Sequence, residues 1–471
     1  MSERFDMIVV GAGQSGPFLA AKMVENGWKV ALIEERDLGG TCVNRGCTPT
    51  KTLRKSARVA YLARRAGEFG VRTGPVEIDF GAAMGRMRAR VDQARTGLEN
   101  WLGSMSGLTI VKARGRLAGK YDGQYRVLAG DRELIAPRIV LNTGTRPFVP
   151  PIAGLGDHQF LDNESLLALE KLPRKLVIIG GSYIGLEMGQ IFRRLGSKVA
   201  IVETGPRLTA REDPDVSAEI TNMLAAEDID IFTGNGIERV APGETEGGVC
   251  LHLTNGKIIG GSHLLVATGR VPNTDGLGLD TIGLNTDGRG YVETDDALQT
   301  TVPGVWALGD INKRGAFTHT SYHDHEVLAN HWLQTPGATL SVDDRAPIYA
   351  MFTDPPLGHV GLYEADARRL AVQGRRISQA VMKMSNISRA KEESETVGLI
   401  KLLIDEESGR FLGASMLGIG CDEIVQIIGQ VMAAGGTWRQ VRDALPVHPT
   451  VAEFLPTIID KRQLLQAGSG E

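Results

Sequence analysis

One phrase, used twice, constrains this chain more than any other feature. Residues 5–10 end in an apolar run, Gly11-Ala12-Gly13-Gln14-Ser15-Gly16 follows, and residues 17–26 carry a helical pattern closed by Gly27. Residues 29–34 then read as a second strand. The phrase returns with 175–179 as strand, Gly180-Gly181-Ser182-Tyr183-Ile184-Gly185 as turn, 186–195 as helix, Gly196 as stop and 198–203 as the next strand. Glu34 follows Gly11, and Glu203 follows Gly180, by the same 23 positions. A strand, a glycine turn, a helix and a strand ending in an acid make a nucleotide-binding βαβ unit. Two further phrases match: Thr143-Gly144-Thr145-Arg146-Pro147 after the apolar run 139–141, and Thr268-Gly269-Arg270-Val271-Pro272 after 264–267. The chain therefore holds two copies of the unit, one inserted within or following the other.

Pro147, Pro150 and Pro151 mark a linker between the copies. Beyond about Arg345, strand-like runs such as 399–404 alternate with helical ones such as 423–434, which reads as a third domain of α+β type. The expected division is 1–150 with 270–345, then 151–269, then 346–471. At roughly 150 residues per domain, 471 residues suit three domains.

The 42% hydrophobic and 23% charged residues exclude a disordered or fibrous chain. A net charge of −4 gives no basic field for nucleic acid. The first apolar run is too short for a signal peptide, and Lys22, Glu25 and Lys29 interrupt the next one. No membrane partner and a cytoplasmic location are expected.

Gly11 permits a tight turn, Gly13 a close backbone approach to pyrophosphate, and Gly16 close packing of helix on strand. Glu34 is placed to accept from ribose hydroxyls. The second copy has Ser182 where the middle glycine would stand; Gly180, Gly181 and Gly185 keep the rest. Glu203 favours a free 2′-hydroxyl and hence NADH, while Arg207 and Arg211 just beyond offer a route to a 2′-phosphate. Cys42 and Cys47 sit five apart in Gly39-Gly40-Thr41-Cys42-Val43-Asn44-Arg45-Gly46-Cys47-Thr48-Pro49-Thr50-Lys51; Cys250 and Cys421 are isolated. A close pair in a long chain reads as redox or metal chemistry. On a regular helix the pair would be roughly 8–9 Å apart, whereas a disulfide needs less than about 7 Å. A bond would require a distorted turn, which Gly46 and Pro49 can supply. Zinc would want a second Cys or His pair, and no second Cys pair exists.

The stretch around Cys42 and Cys47 resembles the active-site motif of the flavin-dependent pyridine nucleotide–disulfide oxidoreductases, which include glutathione reductase, dihydrolipoamide dehydrogenase and mercuric reductase. Four motifs in order carry the resemblance along nearly the whole chain. The first glycine turn with Glu34 resembles the FAD site and the second the NAD(P)H site. Gly309-Asp310, after Val305-Trp306-Ala307-Leu308, resembles the motif that holds the ribityl chain, and His448-Pro449-Thr450 with Glu453 the C-terminal acid/base motif. The resemblance implies an FAD-binding domain (1–150 and 270–345), an NAD(P)-binding domain (151–269) and a dimerisation domain (346–471) in a homodimer. Its cofactor-binding positions are Gly11, Gly13, Gly16, Glu34, Gly40, Thr41, Lys51, Thr143, Gly144, Gly309 and Asp310 for FAD. For NAD(P)H they are Gly180, Gly181, Gly185, Glu203, Gly269 and Arg270.

The resemblance further implies that hydride passes from nicotinamide to flavin, and that the flavin reduces a Cys42–Cys47 disulfide. Cys47 is then the charge-transfer thiolate, Cys42 the interchange thiol that attacks substrate, and His448, oriented by Glu453 and contributed across the dimer, the acid/base. Lys51 pairs with Glu187 near the flavin. The implied substrate is a small disulfide or an oxidised-sulfur compound. Dihydrolipoamide oxidation, mercuric ion reduction and a redox-sensing flavoprotein without turnover are the alternatives. The tail 464–471 lacks the cysteine pair that mercuric reductases carry there. Arg45, between the cysteines, is unusual for the family; it lowers the Cys42 pKa or attracts an anionic substrate, or else is simply solvated or ion-paired. Cys250 and Cys421 read as small buried hydrophobes. His319, His323 and His325 form a tract that can suit a metal, but the family places a flavin-facing helix there. Arg54, Lys55, Arg58, Arg64 and Arg65 read as a solvated helix face.

Overall fold

The computed structural model describes residues 2–243, 247–335 and 340–466; the end of the tail lies outside them. The chain divides into two compact units. The first comprises 1–53, 81–148 and 269–345, the second 54–80, 149–268 and 346–471. The predicted second and third domains thus share one unit, each with its own sheet.

The first unit is built on a five-stranded parallel sheet in the order Val305–Ala307, Ile139–Leu141, Met7–Val10, Val30–Glu34, Leu108–Lys112. Its strands are continuous apolar runs because both faces are covered. Alternation along the strand sends Ile8 and Val10 to one face with Ile33 and Leu141. Met7 and Val9 go to the other with Leu19, Leu32 and Val140. The two phrases that echo after the nucleotide units are joined here. Thr145–Pro147 pairs antiparallel with Arg270–Pro272, Val271 opposite Arg146. The chain leaves and re-enters the unit at this ribbon, which settles that the second copy is inserted within the first.

In the second unit, Lys175–Ile179 lies between Lys198–Glu203 and His263–Val266 in a four-stranded parallel sheet completed by Ile229–Thr233. The helix after the turn is Tyr183–Leu195, one turn longer than its apolar pattern, and the backbone is extended just before it at Ser182 (φ −116°). Gly196, at φ +121°, ends it. Residues beyond 346 form a six-stranded sheet around Leu399–Asp405, with the Cys421–Ala433 helix packed through Val425 and Ile428.

The basic run is solvated only in part: Lys55 and Arg64 are exposed, while Arg54, Arg58 and Arg65 are half-buried. Arg54 donates to the Thr353 carbonyl at 2.8 Å. Arg58 pairs with Asp354 at 3.0 Å and Glu395 at 2.7 Å, and Arg65 with Glu68 at 2.7 Å and Glu395 at 3.2 Å. The carboxylates that answer this face come from more than 290 positions away, or lie on the short turn after the helix, so local periodicity did not reveal them.

Lys401 is fully buried, and its Nζ meets Asp213 at 3.1 Å, Asp215 at 2.7 Å and Glu364 at 2.6 Å. Burial pushes the Glu364 carboxyl up, but hydrogen bonds from Lys401, Arg368 and Gln379 outweigh it and hold the pKa at about 2. Lys401→Met leaves three carboxylates facing one another. The expected destabilisation is about 3–5 kcal/mol, read from the urea midpoint; a loss below about 1 kcal/mol contradicts this account. Because Glu364 titrates lower folded than unfolded, its contribution is present above pH 4.5 and is lost as pH falls toward about 2.

Candidate active site

Both glycine turns bring a helix start against a strand end, with distances that only glycine allows. A Cβ on Gly11 (φ +99°) would lie 2.4 Å from the Asn142 carbonyl, and one on Gly16 2.5 Å from the Gly11 carbonyl. In the second turn, a Cβ on Gly180 (φ +116°) would lie 2.3 Å from the Ala267 carbonyl, and one on Gly185 2.1 Å from the Gly180 carbonyl. Both turns are closed by their acid. Glu34 accepts from the Ala12 amide at 2.8 Å and the Arg36 amide at 2.8 Å. Glu203 accepts from the Gly181 amide at 2.7 Å and the Gly205 amide at 2.7 Å. Each carboxylate is thereby fixed in place with lone pairs to spare for ribose hydroxyls. The Ser182 hydroxyl makes no cap bond to its own helix.

The first turn fits the pyrophosphate of FAD. The Ala12 and Gly16 amides are paired, with Glu34 and Asn142, while those of Gly13 and Gln14 find no acceptor among the described residues. Donors at a helix start suit an anion. Gly40 lies so near that a Cβ there would sit 2.9 Å from Gly13 Cα, which brings the Gly40–Thr41 segment and the cysteine helix up to the turn.

Asn142, buried at the end of the Ile139–Leu141 strand, was missed by sequence reasoning. Its Oδ1 accepts from the Gly16 amide at 2.9 Å and its Nδ2 donates to the Leu308 carbonyl at 2.8 Å. It joins the first turn to Gly309-Asp310. There Asp324 accepts from the Gly309 amide at 2.6 Å, and Asp310 accepts from the Thr145 hydroxyl at 3.0 Å. Burial pushes the Asp310 carboxyl up, against the pull of Arg270. Arg270 donates to the Thr145 hydroxyl at 2.7 Å, so its guanidinium serves the ribbon of the first unit. Thr143 donates to the Asn273 carbonyl at 2.9 Å, and Gly144 takes φ +66° beside it.

The cysteines occupy two helices. Gly40–Arg45 ends at Gly46 (φ −139°, ψ −110°), and Cys47–Arg65 starts at once. This is a distorted turn of the kind that a Cys42–Cys47 bond would require. Cys42 and Cys47 are present as thiols joined by a hydrogen bond. Cys47 Sγ lies 3.2 Å from the hydroxyl of Thr318, the first residue of the Thr318–Leu333 helix. The hydrogen bond to Cys47, burial and the charge of Cys47 push the Cys42 thiol up; Thr318 and Lys51 pull it down. Thr318 was also missed, because 271 positions separate it from Cys47 and a threonine at a helix start ordinarily reads as a cap.

Of the readings open for Arg45, the structure shows the ion pair: Arg45 meets Asp37 at 2.5 Å, and Lys51 pulls the Cys42 pKa down. The histidine tract also disperses: His323 accepts from Arg345 at 2.8 Å, His325 bonds the Tyr322 carbonyl, and His319 stacks on Phe317. Cys421 is fully buried, its thiol pushed up by burial, while Cys250 is half-buried.

In the second unit, His448 Nδ1 lies 2.9 Å from Glu453 Oε2. The His448 side chain is 77% exposed and that of Glu453 14%, so the imidazole is presented outward on a sheltered carboxylate. Glu187 is buried and accepts from the Phe352 amide at 2.8 Å. Lys51 and Glu187 belong to different units.

Comparison with known proteins agrees with this geometry. Residues 5–324 match the family model described as pyridine nucleotide-disulphide oxidoreductase, and residues 348–459 match its dimerisation domain. A probable pyridine nucleotide-disulfide oxidoreductase, RclA, of Escherichia coli K12 is 31% identical over 96% of this chain and 98% of its own. A mercuric reductase of Streptomyces lividans is 33% identical over 96% and 94%. A dihydrolipoyl dehydrogenase of Synechocystis is 33% identical over 96% and 97%. The solved Cu(II) complex of the HOCl-induced flavoprotein disulfide reductase RclA from E. coli superposes with a TM-score of 0.86 at 30% identity, over 96% of this chain and 99% of that one. Sequence, fold and the paired thiols converge: this chain belongs to the class I pyridine nucleotide-disulfide oxidoreductase family, and is an FAD- and NAD(P)H-dependent flavoprotein disulfide oxidoreductase.

Proposed function

We propose that this enzyme is an NADH-preferring homodimeric reductase of a small disulfide or oxidised-sulfur compound, working through Cys42 and Cys47. The observation that carries the reading is the thiol pair, hydrogen-bonded together and set at the start of the Thr318–Leu333 helix. Bound FAD supplies two-electron exchange between a dihydronicotinamide and a dithiol pair. The turns at Gly11, Gly13 and Gly16, Thr143-Gly144 and Gly309-Asp310 would hold it, with Lys51 beside it.

The Cys42 thiolate attacks one sulfur of the substrate, forming a mixed disulfide and expelling one thiolate, which takes a proton from His448. Cys47 then attacks the Cys42 sulfur, releasing the second thiol and closing the Cys42–Cys47 disulfide. Two electrons from NADH reopen it. Glu453 fixes which imidazole nitrogen faces the leaving group. His448 acts across the dimer, on the partner subunit's Cys42. The thiolate is the only nucleophilic form; Thr318 and Lys51 pull the Cys42 pKa down, against the larger upward push of burial and of Cys47.

Preference for NADH rests on Glu203, whose carboxylate is held by two amides where a 2′-phosphate would meet a like charge. Arg207, one of the two cations expected to offset it along with Arg211, donates to the Ala210 carbonyl at 3.0 Å and the Glu212 carbonyl at 3.3 Å.

The testing experiment is steady-state oxidation of NADH and NADPH against glutathione disulfide, lipoamide, thiol-ligated Hg(II) and Cu(II), the last because the E. coli relative was solved with it. A disulfide is expected to give the highest kcat/KM; turnover with metal ions alone, or with none of the four, rejects the proposal. NADH is expected to exceed NADPH in kcat/KM by at least roughly tenfold, about 1.4 kcal/mol, and Glu203→Ala to narrow the gap. Equal use of the two nucleotides by the wild type contradicts the role given to Glu203. Thr318→Val removes a hydroxyl that pulls the Cys42 pKa down, so the Cys42 thiolate should form at higher pH. The pH dependence of iodoacetamide alkylation measures this, and an unchanged profile rejects the role of Thr318.

A further inference from the structure

We infer that Glu212 is a positioning residue for the pyridine nucleotide, holding Tyr183 at the second glycine turn from an anchor in the C-terminal sheet. This rests on the reading of that turn as the NADH site. Tyr183 is the first residue of the helix after the turn and is half-buried. A tyrosine at a helix start has several open rotamers, yet this one is tied at its far end. Its hydroxyl donates to Glu212 Oε1 at 3.1 Å, and the Tyr349 hydroxyl donates to the same oxygen at 2.6 Å. The two rings lie 5.4 Å apart.

The anchor is rigid. Tyr349 also meets the Tyr363 hydroxyl at 2.5 Å, and the His359 ring stacks against both, at 5.1 and 4.1 Å. His359 is bonded at both nitrogens, to Ser415 at 2.9 Å and the Gly361 carbonyl at 3.0 Å, and burial lowers its pKa to about 4. The loop bearing Glu212 is itself clasped to the turn, because the Thr209 amide donates to the Gly181 carbonyl at 2.7 Å. Asp213, the next residue, is held by Lys401.

A packing role does not account for Glu212. The residue is 1% exposed, and its Oε2 has no hydrogen-bond partner among the described residues. A buried carboxylate with one oxygen unsatisfied is destabilising; what it accomplishes is to fix two tyrosine hydroxyls. A ring placed beforehand spares the nucleotide the entropy of ordering it, so its release weakens NADH binding and leaves the thiol chemistry untouched.

The test uses the full-length FAD-loaded enzyme with Glu212→Met, Tyr349→Phe and Glu212→Gln. For the first two, KM for NADH is expected to rise roughly five- to tenfold, with kcat within about twofold and KM for the disulfide unchanged. Flavin reduction by limiting NADH slows, while reduction by dithionite does not. Glu212→Gln keeps an acceptor and recovers most of the loss. If Glu212→Met does not fold, Tyr349→Phe, which keeps the ring, decides the matter. Folded variants with wild-type KM for NADH overturn the inference, whatever their thermal stability. If neither NADH nor NADPH reduces the wild-type flavin, the reading of the turn fails and the inference falls with it.

Discussion

The approach of a helix start to a strand end at Gly11–Gly16, and again at Gly180–Gly185, is the constraint on which the rest of this structure depends. A single methyl group at Gly16 or Gly185 would collide with the backbone carbonyl of the first glycine of its turn. The close fit turns helix amides toward the place where a dinucleotide's phosphates would lie. It also lets one carboxylate per turn, Glu34 or Glu203, bond the amide that follows the first glycine. The same acid thus closes the turn and keeps lone pairs free for a ribose hydroxyl. Two jobs for one residue explain why the acid recurs at a fixed distance in both copies.

The thiol pair is built outward from the first of these turns. Gly40 packs on Gly13, Asn142 links Gly16 to the strand that delivers Gly309-Asp310, and Asp324 holds the Gly309 amide. The start of the Thr318–Leu333 helix and the start of the Cys47–Arg65 helix are brought to one point, where the Thr318 hydroxyl meets Cys47 Sγ. Family membership supplies FAD and NAD(P)H.

What could be read in the sequence was local or periodic. The strands 175–179 and 198–203 match the structure residue for residue, because a buried parallel strand is a bare apolar run between turn signals. A break such as the one at Gly46 was expected if Cys42 and Cys47 are to bond, because their spacing on a regular helix is too wide. What could not be read depends on partners distant in sequence. Asn142, Thr318 and Glu212 are small or polar residues with no pattern of their own; each acquires meaning only from what the fold sets opposite it. The spacing left open whether Arg45 is ion-paired because Asp37 lies just outside the motif, and Arg58 misled because Asp354 and Glu395 answer it from far along the chain.

The central claim is that Cys42 and Cys47 form one redox pair with the flavin. An anaerobic titration of the purified enzyme with NADH, followed by visible absorbance, tests it most directly. The account predicts a long-wavelength thiolate charge-transfer band at two-electron reduction, with the flavin itself still largely oxidised. Bleaching of the flavin in a single phase, without that band in the wild type or in Cys42→Ser, would contradict it.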